Sequence, residues 1–247
     1  MKVFTCEDSA LGFFSAVFKA YESKVMPNII TSSKTYQPSF TTEVIHVENN
    51  EINAKRVENA IIKYTGFTSE VKNIRIALLS SSSLKESVCY NYIKLIVEKK
   101  QRVDKMLNDV AVIEFNELKD KVIYERHRMT GFLRFHETDN GVLYAHYEPD
   151  NNITEILAPH FAKRLNNIPF IIHDVRRNIL ALYNGKEVKT VKCDTPLYIY
   201  FSEQEEDMLK LWKKYFDSVN IKERPHLKQQ DGYLPRRYRK HMSEFTP

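Results

Sequence analysis

Only six of the 247 residues are glycine and only three are cysteine, and between them these shortages exclude much of the familiar cofactor chemistry. There is no Gly-rich phosphate loop and no dinucleotide fingerprint, and neither Gly-x-Ser-x-Gly nor His-Glu-x-x-His occurs. Cys6, Cys89 and Cys193 are odd in number and far apart, with no Cys-x-x-Cys, which argues against a disulfide framework, a structural zinc or an iron–sulfur cluster. No cofactor and no bound metal are therefore expected, and a reducing cytosol is the natural compartment. Long apolar runs are missing too, and the opening Met1-Lys2-Val3-Phe4-Thr5-Cys6-Glu7-Asp8 turns acidic before any apolar stretch. Neither a signal peptide nor a transmembrane helix is expected, so the chain reads as cytoplasmic with no membrane partner.

What is present is a foldable core: 43% of the residues are apolar and 12% aromatic, which argues against disorder. The net charge of +5 is mild, but most of it sits at one end, where residues 221–247 carry seven Lys or Arg against three Asp or Glu.

Period and punctuation predict α+β. Lys2 to Cys6 reads as an edge strand, followed by a helix capped at Asp8 or Ser9 with Leu11, Phe14, Val17, Phe18 and Tyr21 on one face. Thr31 to Thr42 reads as a loop, Glu43 to Val47 as a short strand, and Asn53 to Tyr64 as a helix ended by Gly66. Ser83-Leu84-Lys85-Glu86 has the pattern of a capping box. A further helix carries Phe115, Leu118, Val122 and Met129 and is predicted to stop at Gly131, with a strand from Phe132 to His136 after it. Asn140-Gly141 and Asn184-Gly185 each supply the positive backbone angles of a tight hairpin. The expectation is a helical N-terminal half followed by an antiparallel sheet of about five strands with packed helices. A helix from Ile153 to about Leu165 interrupts the strands, and a last helix starts at Ser202. The chain reads as one α+β domain over 1–247 with a weak boundary near 104–109, and 221–247 as a basic C-terminal tail packed on it.

Two constellations carry candidate chemistry. His127, His160 and Asp174 supply the residue types of a general base or a metal ligand, although each also suits a structural role, and His173 and Asp174 should point to opposite faces of a strand. The arginines Arg126, Arg128, Arg134, Arg177, Arg236 and Arg237 suit phosphate, which a guanidinium grips in bidentate fashion. Their alternative is internal pairing with Glu125, Glu148, Asp150, Asp174 and Glu155. Tyr238, set among the tail arginines, is a candidate for stacking on a base.

The series Arg126-His127-Arg128-Met129-x-Gly131-Phe132-Leu133-Arg134-Phe135, Tyr147-x-Pro149-Asp150, His160-Phe161-Ala162-x-Arg164, Ile172-His173-Asp174-x-x-Arg177, Leu211-Trp212-x-x-Tyr215-Phe216 and Pro235-x-Arg237-Tyr238 resembles a bacterial family described as probable DNA metabolism proteins, a domain of unknown function. That resemblance implies a place in DNA modification or repair beside a radical-SAM protein, and in some relatives fusion to a uracil-DNA-glycosylase-like domain. Arg239 stands where the family usually has tryptophan. Three functional readings follow: a nucleic-acid-handling accessory protein, a hydrolase or lyase using His127, His160 and Asp174, and a protein-interaction adaptor.

Overall fold

The computed structural model describes residues 1–32, 36–193, 195, 197–219 and 227–245. The fold is α+β. It divides into two compact units, Met1–Tyr124 and Glu125–Pro247, where the sequence suggests at most a weak boundary near 104–109. The division falls inside one helix.

In the first unit the strands β1 (Lys2–Thr5), β2 (Ile29–Thr31) and β3 (Glu43–His46) form a parallel sheet in the order β2-β1-β3. The expected edge strand β1 is thus central, paired on both sides. Its Val3 and Phe4 are buried on opposite faces, as a covered parallel strand requires. Helix α1 (Ala10–Glu22) makes the crossover from β1 to β2. Its entry is fixed by Ser9, whose hydroxyl accepts from Gly12 N at 3.0 Å, and by Gly12 itself, where a Cβ would lie 2.6 Å from the Glu7 carbonyl. Helix α2 (Glu51–Thr65) ends as expected on left-handed Gly66, at φ +75°. Helices α3 (Thr68–Ala77) and α4 (Lys85–Lys99) close the core around Phe13, Phe14, Ile30, Ile61, Ile74, Ile93 and Phe115. The capping box at Ser83 does not form. Leu84 occupies the cap position without a side-chain bond, and the Glu86 carboxylate instead accepts from the Ser32 hydroxyl.

Helix α5 runs from Val110 to Phe132, so it passes through Gly131, which lacks the positive φ of a cap. The next strand, β4, is only His136–Glu137. The period-two pattern from Phe132 is overridden because Leu133 is buried and the Phe132 ring packs 6.1 Å from that of Tyr238. The second sheet then runs β4-β5-β6-β7-β8, with β5 Leu143–Tyr147, β6 Phe170–Asp174, β7 Ile179–Tyr183 and β8 Val188–Lys192. Both hairpins lie where the Asn-Gly pairs put them, with Gly141 at φ +76° and Gly185 at φ +88°. The pairing is not wholly antiparallel, because β5 and β6 are parallel. Helix α6 (Thr154–Leu165) lies between them in the chain and forms the crossover a parallel pair needs.

Register sorts the two faces of this sheet. Ala145, Phe170, Ile172 and Ala181 lie on the face where α6 packs, all fully buried. His136, Tyr144, His146 and His173 lie on the other. Helix α7 (Glu203–Val219) starts on Ser202, whose hydroxyl accepts from Glu205 N at 3.2 Å. Its Leu209 and Phe216 are half-buried, while Met208, Leu211 and Tyr215 stay exposed. Short helices α8 (Leu227–Tyr233) and α9 (Arg236–Arg239) follow. Tyr238 and Met242 are buried. Within the tail, Lys222, Arg224, Pro225 and His226 lie outside the described residues. Among the described residues no helix is long and apolar enough to cross a membrane.

Candidate anion and base site in the second unit

Glu125 is the structural hub of this unit. Its buried carboxylate accepts from Asp150 N at 2.6 Å, Asn151 N at 2.8 Å, Asn151 Nδ2 at 2.7 Å and the Tyr238 hydroxyl at 2.7 Å. Arg177 grips the same loop from the other side, donating to the carbonyls of Pro149 and Asp150 and to Asp174 Oδ2 at 2.9 Å. Asp174 is fully buried, and burial pushes its carboxyl pKa upward against the opposing pull of Arg177. The loop after β5 is therefore pinned by one carboxylate and one guanidinium.

This geometry decides the fate of most of the arginines singled out in the sequence. Arg177 belongs to the loop clamp. Arg134 pairs with Glu244 through Nε and Nη2, at 3.2 and 2.6 Å, and also caps the end of α5 by donating from Nη1 to the Gly131 carbonyl at 2.8 Å. Arg128 donates to the Gly232 carbonyl. Arg236 pairs with Asp231 at 3.0 Å, and Arg237 pairs with Asp150 at 2.8 Å while lying 4.7 Å over the Tyr238 ring. Tyr238 itself cannot serve as an open stacking platform. The residue is 5% exposed and its hydroxyl donates to Glu125, so the tail folds inward there.

The trio expected from the sequence does not assemble. His127 is exposed on α5, His160 is half-buried on α6, and Asp174 is held by Arg177, with no contact joining any two of them among the described residues. His173 turns away from Asp174, as the strand alternation requires, and its Nδ1 lies 2.8 Å from the Tyr144 hydroxyl. No group of three or more His, Cys, Asp or Glu placed to hold a metal occurs among the described residues.

On the face of the sheet opposite α6, histidines gather. His146 packs edge-on against His241 at 4.8 Å, and its pKa is pushed down to about 4, first by burial and then by the facing His241, His136 and His173, with Glu148 opposing. Burial also lowers His173 and His241. His241 Nε2 sits 3.3 Å from Glu148 Oε1, but the alignment makes no hydrogen bond and the buried nitrogen has no other partner among the described residues. An imidazole whose folded pKa lies below its unfolded one resists protonation in the native state. The stability it supports is present above the usual 6.5 and is lost as pH falls from there toward about 4. The thermal midpoint of this unit should therefore drop steadily between those pH values. Trp212 is the single tryptophan, so its fluorescence reports this unit alone. A His146→Phe variant should show a flatter profile; an unchanged slope would remove His146 as the cause.

Two features remain that internal pairing does not consume. The first is a pair of guanidiniums, Arg126 on α5 and Arg164 on α6, on either side of His160. Arg126, His160 and Arg164 lie close enough that, after burial, the two guanidiniums are what hold the His160 pKa down. Arg126 Nε donates to the Ile156 carbonyl at 2.8 Å, which fixes the side chain, and none of the three has an ion pair among the described residues. Gathering like charges without a counter-ion is unfavourable, and a bound anion relieves it.

The second feature is a cavity of about 650 Å³ that shares Arg164 with this group. Phe135, Phe161, Leu165, Met208, Leu209 and Trp212 give it an apolar and aromatic wall. His136 and Glu205 also line it, with Nδ1 and Oε1 2.9 Å apart and side chains only 11% and 13% exposed. Sequence reasoning placed His136 on a strand and Glu205 at a helix start but had no means of joining residues 69 positions apart.

In comparison with known proteins, the family described as a domain of unknown function, DUF4130, matches residues 83–244. No curated protein matches the chain. Among solved structures, a pGpG-specific phosphodiesterase, PggH from Vibrio cholerae, aligns over 73% of this chain and 80% of its own, at 12% identity and a TM-score of 0.29.

Proposed function

The chain belongs to the DUF4130 family, a domain of unknown function, and we propose that it is a nucleic-acid-handling accessory protein of DNA metabolism or repair that works with a radical-SAM partner. The observation that carries the nucleic-acid part is Arg164, which has no ion pair among the described residues and lines an aromatic-walled cavity. A phosphate needs fixed cations and a base needs flat apolar faces, and both lie next to each other here. The cavity volume suits a single nucleotide rather than a helix. The resemblance of the motif series supports the radical-SAM partner, and co-purification of the two proteins with assayed DNA retention tests it.

A phosphate held by Arg164 predicts a defined result. Arg164→Ala should weaken DNA binding and reduce the slope of log affinity against log salt by roughly one unit for each phosphate that is no longer neutralised. Sequence preference should not change, because phosphate contacts position and do not specify. The thermal midpoint should not move, since Arg164 is exposed and has no ion pair among the described residues. A protein with no affinity for DNA or RNA at low salt, with or without the partner, would sink the reading.

A second reading, hydrolysis or lysis of a nucleic-acid-derived substrate, is favoured by one observation. His136 held by Glu205 in the cavity wall is the arrangement of a histidine whose tautomer is fixed for proton transfer. This moves the acid–base assignment away from His127, His160 and Asp174. Product formation from an oligonucleotide that disappears in His136→Gln, with binding retained, would establish it.

A further inference from the structure

Ile156, His160 and Arg164 follow one another at four-residue intervals on α6, so they share one side of the helix at steps of about 6 Å along its axis. Arg126 reaches this row from α5. Its Nε donates to the Ile156 carbonyl at 2.8 Å, one turn before His160, and its other nitrogens have no partner among the described residues. Two guanidiniums thus flank one imidazole.

No carboxylate pairs with them among the described residues. The one acid of α6, Glu155, lies roughly 140° around the helix from His160 and roughly 180° from Arg164. On α5 the positions one turn either side of Arg126 are Val122, Ile123, Met129 and Thr130, and its neighbour Glu125 is buried with both oxygens bonded elsewhere. On the sheet face beneath α6 the charged groups of β6 to β8 are Asp174, which Arg177 holds, and Lys192. The two acids of the cavity, Glu137 and Glu205, form no ion pair with Arg164, and Glu205 is bound to His136. Exposed Lys163, three residues beyond His160, has the same sign as the guanidiniums. Burial and the two guanidiniums lower the His160 pKa with no carboxylate opposing them.

Resting on the nucleic-acid reading above, we propose that Arg126, His160 and Arg164 form a site for a phosphate monoester, the group found at a strand end or on a free nucleotide, rather than for the diester inside a strand. A monoester offers three free oxygens and a charge of about −1.5 to −2 at pH 7, which matches three donors and two fixed cations. A diester has two free oxygens and one charge, so one donor and one cation stay unmet. Arg164 also lines the cavity, so the nucleoside attached to the phosphate has an aromatic-walled space beside it. His160 adds a linkage. A bound anion reverses the influence of the guanidiniums, so the imidazole pKa rises on binding and a proton is taken up.

The test uses the full chain and one fluorescent DNA single strand, phosphorylated at one end, at the other end, or at neither, at fixed salt. One phosphorylated form should bind roughly 10- to 100-fold more tightly than the form with hydroxyl ends. His160→Gln and Arg126→Ala should each remove most of that gain and leave the affinity of the hydroxyl form unchanged. The ring-proton resonance of His160, identified by its loss in His160→Gln, should titrate at higher pH with the phosphorylated strand than with the hydroxyl strand, which reads the site even if Arg126→Ala fails to fold. Displacement of the phosphorylated strand by a deoxynucleoside monophosphate supports a site for free nucleotides, and failure to displace it supports one for strand ends. Three forms bound alike, with the His160 titration unmoved between them, overturn the proposal; if Arg164→Ala still weakens all three, nucleic-acid handling survives it. A phosphate gain that persists in both variants places the monoester elsewhere and also overturns it. Absence of all binding removes both readings.

Discussion

Replacing Glu125 by alanine is expected to cost the second unit on the order of 3–5 kcal/mol, and to lower its thermal midpoint by roughly 10–20 °C. The carboxylate is 5% exposed and accepts four hydrogen bonds, two of them from the backbone of the loop after β5. Alanine leaves those donors without their acceptor, and each unsatisfied buried group costs about 1–3 kcal/mol. Glu125→Gln should do little better, because its amide nitrogen would turn a donor toward at least one donor already there. Tyr238→Phe removes a single hydroxyl and should cost only about 1 kcal/mol. The graded order Ala, Gln, then Tyr238→Phe, read from Trp212 fluorescence in thermal unfolding, checks the clamp. A Glu125→Ala protein that melts with the wild type would show that the loop is held by something else.

The same residue shows what a sequence can and cannot reveal. Glu125 was legible only as one more countercharge for the surrounding arginines, yet most of its partners are on the loop 150–151 and two are main-chain N–H groups, which carry no sequence label at all. Local chemistry was readable where it is decided locally. Asn140-Gly141 and Asn184-Gly185 specify their hairpins through the positive φ that glycine tolerates, and Gly66 ends α2 for the same reason. Strand direction is decided elsewhere. A period of two says which face a side chain takes, but β5 and β6 run parallel because α6 returns the chain across the sheet, and β2 is three residues long, too short to show a period. Glycine at position 131 suggested a helix stop, but it lacks the positive φ of a cap and α5 ends one residue later, at Phe132. For the candidate site, Arg126 and Arg164 could be named from the sequence, but not which arginines would remain without a carboxylate. That distinction needed Glu244, Asp174 and Asp150 to be placed against Arg134, Arg177 and Arg237.

Arg177→Ala should separate these two classes of arginine most sharply. It leaves Asp174, fully buried, without its countercharge, and leaves the carbonyls of Pro149 and Asp150 without their donor. Removing one member of a buried pair typically costs 3–5 kcal/mol; Arg177 is 22% exposed, so a loss of about 3 kcal/mol is the expected figure. Adding Asp174→Asn removes the stranded charge, so the double variant should be more stable than the sum of the two single losses predicts. Lysine at 177 should rescue poorly, because one ammonium cannot reach a carboxylate and two carbonyls in the fork geometry a guanidinium supplies. Held folded at low temperature, Arg177→Ala should still bind DNA with wild-type salt dependence, whereas Arg164→Ala should melt like the wild type and bind with a shallower slope. Were the two to exchange phenotypes, Arg177 would be the residue that holds phosphate and Arg164 the structural one, and the anion site would have to move from α6 to the loop after β5.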